Sequence, residues 1–478
     1  MPEETVLTCK LSGSVAYETP NRPRRASRES FAQTKLIGSI APPKTDRQEF
    51  VRRSPNDACV SRRYTRAAAA AALAASAVGG AAAVLQAVKP QTAGAARTAS
   101  PPLGLALPLP TWLAPGASIT VTGWAGPTEV VQLLANGAPL GRARSGTFGK
   151  FTLRLRTPTR SGTYRLVLRA GARRSHLPSL LVRPVVVAAV GDVNLGDRIA
   201  TAIRSYGGNY PWTSVAPVLR AADIAVANLE CAVSTGGTPA SKAYTFRGDP
   251  AALSAVAKAG VDVVSLANNH SLDFGIDAFR DTIRHLKKAG VTPVGGGGDL
   301  SAARAPALVT AGGLRFAILA YSDIRPYGFD ATPLRPGAAP ADVTALASDV
   351  RRARRKADSV IVYFHWGVEL ARSPDYRQQA FAAAAFNAGA TVVLGAHPHV
   401  LQPVRRVGRR LVAWSLGNFV FGAQSAGTSN TGILTIGLDR LGVRWSEFVP
   451  ARIEGVRPIV DRDRANATLR RLAHAKGR

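Results

Sequence analysis

The stretch "VVLGAHPHVLQPV" at residues 392–404 places two histidines directly after an apolar run that ends near Gly395. Pro398 lies between His397 and His399 and favours extended backbone at the residue before it. Side chains two residues apart in an extended chain point the same way. The pattern predicts a buried strand followed by two imidazoles aimed at one spot, as metal ligands often are. The alternative is two exposed loop histidines.

Apolar runs alternate with helical stretches along the chain from Val185 onward. The candidate strands are "VVVAAV", "DIAVAN", "VDVVSLA", "LRFAILAYS", "DSVIVYFH" and "ATVVLGA". Unbroken apolar strands separated by helices are typical of an α/β sheet covered on both faces. In such folds the reactive groups lie on loops at the carboxyl ends of the strands.

Metal-capable side chains follow five of these six runs. Each alone has an ordinary explanation as a helix cap, a turn residue or a core histidine. Together, carboxylates, amides and imidazoles at strand ends suit two divalent ions about 3.5–4 Å apart, as in two-metal phosphoesterases. The side chains, in chain order, are Asp192, Asn194, Asn228, Glu230, Asn269, His270, His365, His397 and His399.

The composition limits the class of protein. A chain of 478 residues has room for two or three domains, and 46% hydrophobic residues indicate that most of it folds. Three cysteines without CxxC spacing support neither a disulfide framework nor a cysteine-based zinc site. The net charge of +31 suits an acidic partner. No nucleic-acid-binding motif accompanies that charge, so we do not expect nucleic acid as a partner.

The N-terminal region reads as an export segment preceded by a polar stretch. Residues 1–60 lack any apolar period, which predicts disorder. An alternative interpretation is that translation begins at Val51 or Val60, so that the residues before it do not belong to the protein. Residues 61–96 contain arginines, an uncharged alanine-rich stretch and an A-x-A-like cleavage site, as in a signal peptide. The stretch is also long enough for an uncleaved membrane anchor, and "SRRYTR" resembles a twin-arginine signal.

Two further regions flank the α/β pattern. Residues 103–183 show short alternating runs with Gly, Pro and Asn between them, which predicts a small β-sandwich resembling an immunoglobulin domain. Its expected role is that of a spacer or binding module. After about Thr431, "GILTIGLDRLGVRWSEFVP" predicts closing antiparallel strands, and residues 456–478 form a basic helical tail.

Six motifs together resemble the bacterial CapA family, the poly-γ-glutamate capsule synthesis proteins. They are "GDVNLGDR", "ANLECAVS", "LANNHSLDFG", "FHWGVE", "GAHPHVLQP" and "WSLGNFVFG", in the expected order over about residues 185–455. That family is similar to calcineurin-like metallophosphoesterases. The resemblance implies an α/β fold with αββα sandwich layers over 185–455, preceded by the small β-sandwich and the N-terminal signal or anchor.

The resemblance also implies ligands for two divalent ions, with manganese, iron and zinc as candidates. Asp192 and His399 would hold one ion, with Asn194 standing where phosphoesterases of the broader class carry a histidine. The second ion would be held by Asn269, His365 and His397.

Four further residues receive roles from the same resemblance. Glu230, together with Asn228, would replace a bridging aspartate. His270 would act as general acid for a leaving oxygen. Asn418 of "SLGNF" would support the site.

The sequence therefore predicts an exported, membrane-associated protein that acts in the synthesis or attachment of a surface polymer through a dimetal phosphoesterase-type site. Its place would be the extracytoplasmic face of the cell membrane or the cell envelope. The expected partner is an acidic surface polymer or a phosphoester substrate. The alternative is a non-catalytic component that binds an acidic polymer and helps to assemble or export it.

Overall fold

A computed structural model describes residues 101–475. The predicted disordered stretch 1–60 and the predicted signal peptide or anchor at 61–96 lie outside the described residues. Within 101–475, no helix combines the length and the apolar character needed to cross a membrane.

Strands β1 to β8 come before residue 183 and surround a hydrophobic core of their own. In β6 the apolar side chains of Phe151, Leu153 and Leu155 point inward and alternate with exposed polar residues, which fits the period of an extended strand. In the described chain these strands form one three-stranded and one five-stranded sheet. Their bounds are β1 Gly104–Leu105, β2 Trp112–Leu113, β3 Ser118–Trp124, β4 Val130–Ala135, β5 Ala138–Arg144, β6 Lys150–Arg156, β7 Gly162–Ala170 and β8 Arg173–Val182.

The strands of the α/β region follow from residue 185. They are β9 Val185–Val193, β10 Ile224–Leu229, β11 Ala232–Val233, β12 Arg247–Gly248, β13 Val263–Ser265, β14 Thr292–Val294, β15 Gly296–Gly297, β16 Ala307–Ala311, β17 Leu314–Ser322, β18 Gly337–Ala338, β19 Ser359–His365, β20 Val392–Ala396, β21 Val404–Val407, β22 Arg410–Ala413, β23 Asn418–Val420, β24 Asn430–Asp439, β25 Gly442–Glu454 and β26 Arg457–Val460.

The helices lie between these strands and after the last of them. They are α1 Asp197–Tyr206, α2 Ala216–Ala221, α3 Leu253–Ala259, α4 Gly275–Ala289, α5 Leu300–Ala303, α6 Val343–Arg354, α7 Tyr376–Asn387, α8 Ala426–Ser429 and α9 Arg462–Ala475, with 3₁₀ turns at Tyr210–Trp212 and Pro250–Ala252.

Two large sheets form the centre of the described α/β region. One has eight strands in the order β14-β13-β10-β9-β24-β25-β26, with β23 also paired to β9, and the other has six in the order β16-β17-β19-β20-β22-β21. Strands β9, β10, β13 and β14 are parallel, as are β17, β19, β20 and β22. Within each parallel set the carboxyl ends therefore lie along one edge of the sheet, where α/β folds place their sites.

The two sheets face each other, and helices cover their outer faces. In β10, Val226 enters the core between the sheets, whereas Ala227 enters the core under the helices. In β19, Tyr363 points between the sheets and Val362 points outward to α6 and α7. Because both faces of each strand are buried, the strands read as unbroken apolar runs. The predicted α/β class is confirmed, and its layers run helix, sheet, sheet, helix.

The sheets of β1 to β8 pack against the α/β region within one compact unit. Ala114 and Ala117 are buried in the core between the two large sheets. The ring of Trp112 lies against Gly312, where an added Cβ would come within 2.3 Å of the ring. The domain boundaries expected from the sequence, 103–183 for the β-sandwich and 185–455 for the α/β domain, remain predictions.

Candidate metal centre

Strand periodicity brings the predicted ligands together between the two sheets. Residues two apart in a strand share a face, so Asn228 of β10 follows the inward Val226, and His365 of β19 follows the inward Tyr363. Potential ligand atoms of Asp192, Glu230 and His365 all lie within 4.8 Å of one another, and so do those of a second set, Glu230, His397 and His399. Glu230 belongs to both sets. The division of ligands between individual ions stays a prediction.

Asn228 joins the two sheets by hydrogen bonds. Its side-chain amide donates to Asp192 Oδ1 at 2.8 Å and lies 3.2 Å from His365 Nδ1. Its carbonyl oxygen accepts from the side chain of Asn268 at 3.1 Å. Asn228 is fully buried, and these contacts use both ends of its amide. In this structure it orients Asp192 and His365.

Glu230 is the least satisfied residue of the site. Its carboxylate is fully buried, and neither oxygen has a hydrogen-bond partner among the described residues. Burial, and then the negative charge of Asp192, raise its pKa well above the usual value. His365 Nε2 lies 3.4 Å from Oε1 and His270 Nε2 lies 3.9 Å away. A buried carboxylate that accepts no hydrogen bond is costly unless a nearby cation, protonated His399 in the metal-free chain or a bound metal ion, offsets that cost.

His397 and His399 adopt backbone conformations that differ from the expectation. The extended backbone predicted for His397 is wrong, because its φ is +97° and that of His399 is +56°. Such values are strained for residues other than glycine and cluster at functional sites. The two rings nevertheless lie 5.8 Å apart, and the ring of His365 lies 4.7 Å from that of His397. The imidazoles therefore converge through a strained turn.

Two glycines let the ends of the strands approach closely. An added Cβ at Gly191 would come within 1.8 Å of the Gly417 carbonyl oxygen, which accepts the N–H of Asp192 at 2.9 Å. An added Cβ at Gly395 would come within 2.1 Å of the carbonyl oxygen of Trp414. No side chain fits at either position, which explains the glycine beside Asp192 and the glycine before the two histidines.

The three histidines differ in protonation. Burial lowers the pKa of His365 well below its usual value, and neighbouring His397 lowers it further. Burial and the charge of His399 lower the pKa of His397 to about 3. Burial also acts to lower the pKa of His399, but Glu230 and Asp192 outweigh burial and raise it to about 10. Neutral His397 can donate a lone pair directly, whereas His365 would have to give up the Nε2–H that it donates to Asn269 and His399 would have to lose a proton.

His270 lies beside this cluster, oriented by two charged residues. Its Nδ1–H donates to Asp273 Oδ2 at 2.7 Å, and its ring stacks on Phe246 with centroids 4.3 Å apart. Lys242 donates to Asp273 Oδ1 at 2.8 Å and to the backbone oxygen of Asn269 at 2.6 Å. Burial lowers the pKa of His270 despite Asp273. With Nδ1–H engaged, Nε2 faces Glu230 and is the nitrogen that can exchange a proton.

The remaining predicted residues take different positions around the site. Asn269 Oδ1 accepts from His365 Nε2 at 2.7 Å, and Asn418 Oδ1 accepts from His399 Nδ1 at 2.8 Å. Asn194 is buried nearby, but its Oδ1 accepts the N–H of Gly196 at 2.7 Å and its side chain also bonds to Asp197. Asn269 and Asn418 therefore contact the histidines, whereas the side chain of Asn194 makes its hydrogen bond within its own loop, to Gly196.

Sequence reasoning missed Asp273, Lys242 and Asn268 as parts of the site. The sequence could have indicated Asp273, because it lies three residues after His270 in the motif "LANNHSLDFG". Asn268 also lies in that loop, and its side chain holds both Asn228 and the N–H of His270. Lys242 reaches Asp273 across 31 positions in sequence, and no local pattern indicated it.

An open cleft leads to this cluster. A cavity of about 160 Å³ borders His270 and His399, and a neighbouring one of about 570 Å³ borders Asn194. Both cavities share an aromatic wall made of Tyr244, Phe246 and Phe421. A substrate in this cleft would therefore contact aromatic side chains as well as the imidazoles of His270 and His399.

Comparison with known proteins places the chain in a family. The family described as "Bacterial capsule synthesis protein PGA_cap" matches residues 186–423. "PGA biosynthesis protein CapA" of Bacillus subtilis is 30% identical over 272 residues, which cover 56% of this chain and 72% of that protein. This chain belongs to the bacterial capsule synthesis protein family. "Capsule biosynthesis protein CapA" of Bacillus anthracis is 31% identical over 278 residues, covering 56% of this chain and 68% of that protein.

Solved structures show weaker likeness. A 5'-nucleotidase precursor from Thermus thermophilus is 16% identical with a TM-score of 0.35, and the match covers 61% of this chain and 58% of that one. NAD nucleotidase from Haemophilus influenzae is 12% identical with a TM-score of 0.34, and the match covers 60% of this chain and 62% of that one. At these scores neither structure supports an argument about function.

Proposed function

We propose that this capsule synthesis family member is a metal-dependent hydrolase of the phosphoesterase type, with a calcineurin-like αββα sandwich and two divalent ions at its centre. The observation that carries the proposal is the buried carboxylate of Glu230, which has no hydrogen-bond partner in the described chain. His397 Nδ1 is likewise buried without a partner among those residues. Oxygen and nitrogen donors of this kind suit manganese, iron or zinc.

Each residue has a task in the proposed reaction. Asp192, Glu230, His365, His397 and His399 would hold the ions, which would polarise a phosphoryl oxygen. Asn228 and Asn418 would orient those ligands through the hydrogen bonds described above, and Asn269 would join His365 and His397 as a ligand of the second ion. Once its Nε2 has taken up a proton, His270 would pass that proton to the leaving oxygen, while Asp273 fixes its ring.

The family and the charge suggest where this chemistry acts. The two Bacillus relatives are named for biosynthesis of PGA or of a capsule, and we propose that this chain likewise acts on a surface polymer of the poly-γ-glutamate type or on a phosphoester linked to it. Residues 61–96 would carry the chain out of the cytoplasm, to the outer face of the membrane or the cell envelope.

A second candidate is a non-catalytic protein that binds an acidic polymer. The net charge of +31 favours this candidate. Polymer binding alone does not require a buried carboxylate that accepts no hydrogen bond in the described chain and lies beside three histidines, and for that reason we place the hydrolase first.

Metal content and hydrolysis of bis(p-nitrophenyl) phosphate by the purified full chain test the proposal. The chain should contain divalent metal, and Glu230→Gln should remove metal and activity because it removes the charge shared by both ligand sets. His176→Ala is the matched control, since His176 lies exposed on β8, and it should change neither. A wild-type protein that takes up no divalent ion would refute the hydrolase and leave the polymer-binding candidate.

Export is tested separately. A reporter fused after residue 100 should leave the cytoplasm, and replacement of Arg62 and Arg63 by lysine should block this if the twin-arginine route is used. A reporter that stays in the cytoplasm would contradict the proposed location without affecting the metal-centre proposal.

A further inference from the structure

Two hairpin tips touch each other at the edge of the α/β region opposite the metal centre, next to the segment that contains Gly116. The β21–β22 hairpin turns at residues 408–409, and the β24–β25 hairpin turns at 440–441. The N–H of Val443 donates to the Arg409 carbonyl oxygen at 2.9 Å, and Arg406 donates to the Val443 carbonyl oxygen at 3.3 Å. These contacts make the two tips one continuous surface, which we call the hairpin surface.

Strand pairing fixes the direction in which this surface faces. Leu411 at the start of β22 pairs with Val392 at the start of the parallel strand β20. Leu438 near the end of β24 pairs with Val185 at the start of the antiparallel strand β9. Both tips therefore lie at the amino ends of β9 and β20, whereas the metal centre lies at their carboxyl ends.

Each tip carries an exposed aliphatic residue. Val407 is 75% exposed and Leu441 is 64% exposed. A single exposed aliphatic side chain on a soluble protein needs no explanation. Two of them on touching hairpins, next to arginines, combine apolar and basic side chains, the combination that segments lying at a membrane interface use.

Basic side chains outnumber acidic ones around these tips. Residues 404–413 contain Arg405, Arg406, Arg409 and Arg410 and no acidic residue. Within the described residues, Arg405, Arg406 and Arg410 form no ion pair with a carboxylate. The nearby carboxylate of Asp439 is buried and already lies close to Arg409 and Arg444. The surface therefore presents net positive charge to the outside.

A pocket beside the tips gives these arginines a concave arrangement. It has a volume of about 210 Å³, and its lining includes the four arginines Arg354, Arg409, Arg410 and Arg440 and one carboxylate, Asp358, which pairs with Arg440 at 2.9 Å. Guanidinium groups bind phosphate oxygens in pairs. A pocket of this size can receive a phosphate headgroup but not a folded protein segment.

We propose that the hairpin surface docks on an anionic phospholipid bilayer. Val407 and Leu441 would enter the interfacial region, and the surrounding arginines would contact lipid phosphates. An acidic polymer would be attracted by the same charge, but it offers no apolar phase for the two aliphatic tips, so the bilayer fits the whole surface better. Docking in this way would turn the metal centre away from the membrane, toward polymer on the outside.

Hydrogen exchange of the full chain tests the proposal, because it reads out the hairpin surface even if the N-terminal segment also binds lipid. We expect peptides covering 404–413 and 439–444 to exchange more slowly with vesicles of 30% phosphatidylglycerol in phosphatidylcholine than with phosphatidylcholine alone. Raising salt to 0.5 M should reverse this protection by screening. Each arginine near an anionic surface contributes about a five-fold gain in binding.

Two surface variants and a matched control complete the test. Arg405→Gln with Arg410→Gln should weaken the contact about 25-fold and abolish the protection, and Val407→Ser with Leu441→Ser should reduce it. Arg280→Gln with Arg284→Gln removes the same charge from exposed positions on α4 and should leave the protection unchanged.

Two results would overturn the proposal. One is equal exchange of the hairpin peptides with both kinds of vesicle. The other is protection by soluble poly-glutamate without protection by anionic vesicles, which would assign the surface to an acidic polymer. Neither result would bear on the metal centre, whose residues the variants leave untouched.

Discussion

At the scale of single residues, His399 links metal binding to pH. Its pKa in the metal-free chain is raised to about 10, so it carries a proton at neutral pH that a metal ion must displace. The raised pKa of Glu230 acts in the same direction. We therefore expect metal affinity to rise with pH, by about ten-fold per unit for each proton displaced.

Calorimetric titration of chelator-treated protein at pH 6.5 and pH 7.5 measures this effect. Titration in buffers of different ionisation enthalpy counts the protons that are released. An affinity that is equal at the two pH values, with no proton released, would contradict the assignment of His399 as a ligand.

His270 and His397 should separate catalysis from metal binding. Because His270 is oriented by Asp273 and lies at the side of the cluster, His270→Ala should retain metal and lower turnover about 10²- to 10⁴-fold. His397→Ala should lose metal and activity together. Metal analysis alongside phosphodiester hydrolysis distinguishes the two outcomes, and equal loss of metal from both variants would show that His270 is also a ligand.

At the scale of elements, the close approach of β20 to its neighbours should control the position of the histidine turn. Gly395→Ala would place a Cβ within 2.1 Å of the Trp414 carbonyl oxygen and 2.3 Å of Trp366 Nε1. Overpacking of this kind costs about 1–3 kcal/mol, and the displaced strand end should weaken metal binding. Gly298→Ala is the control, because no atom lies within 4 Å of the added Cβ.

Urea unfolding and metal content measure this prediction. Equal stability of Gly395→Ala and Gly298→Ala would mean that β20 can shift at no cost.

The sequence predicted a strand well where the strand is buried along its whole length. Strand β19 matches the predicted run "DSVIVYFH" to within one residue, because a fully buried strand has a clear apolar pattern. The turn at His397 was predicted less well. The rule that disfavours helical backbone before a proline gives the local preference, but the packing around the metal centre imposes a positive φ on both histidines.

At the scale of the whole molecule, the sequence indicated which loops meet but not what orients them. The carboxyl ends of parallel strands share an edge within one sheet, so the convergence of Asp192 and Glu230 followed from the pairing of β9 with β10, whereas His365 reaches them from the facing sheet. The Lys242–Asp273–His270 arrangement depends on a loop that folds back across the site. Contacts between distant segments of this kind leave no periodic signal in the chain.

The joint between the sheets of β1 to β8 and the α/β region should govern how the molecule unfolds. Arg183 forms two hydrogen bonds with Asp223, at 2.6 and 2.8 Å, and stacks over the ring of Trp112 at 3.6 Å. Both charged side chains are at most 9% exposed. Because this contact joins the two parts through buried charges, we expect the described residues to unfold in one calorimetric transition.

Arg183→Met should weaken that joint. It deprives buried Asp223 of its guanidinium partner, which costs about 3 kcal/mol, and we expect the single transition to separate into two. Arg183→Lys should restore only part of the loss, because an ammonium cannot reproduce the two parallel hydrogen bonds. Arg280→Met, at an exposed pair on α4, should change the free energy of unfolding by less than about 0.5 kcal/mol. A single unshifted transition for Arg183→Met would show that apolar packing of Trp112, Ala114 and Ala117 alone holds the two parts together.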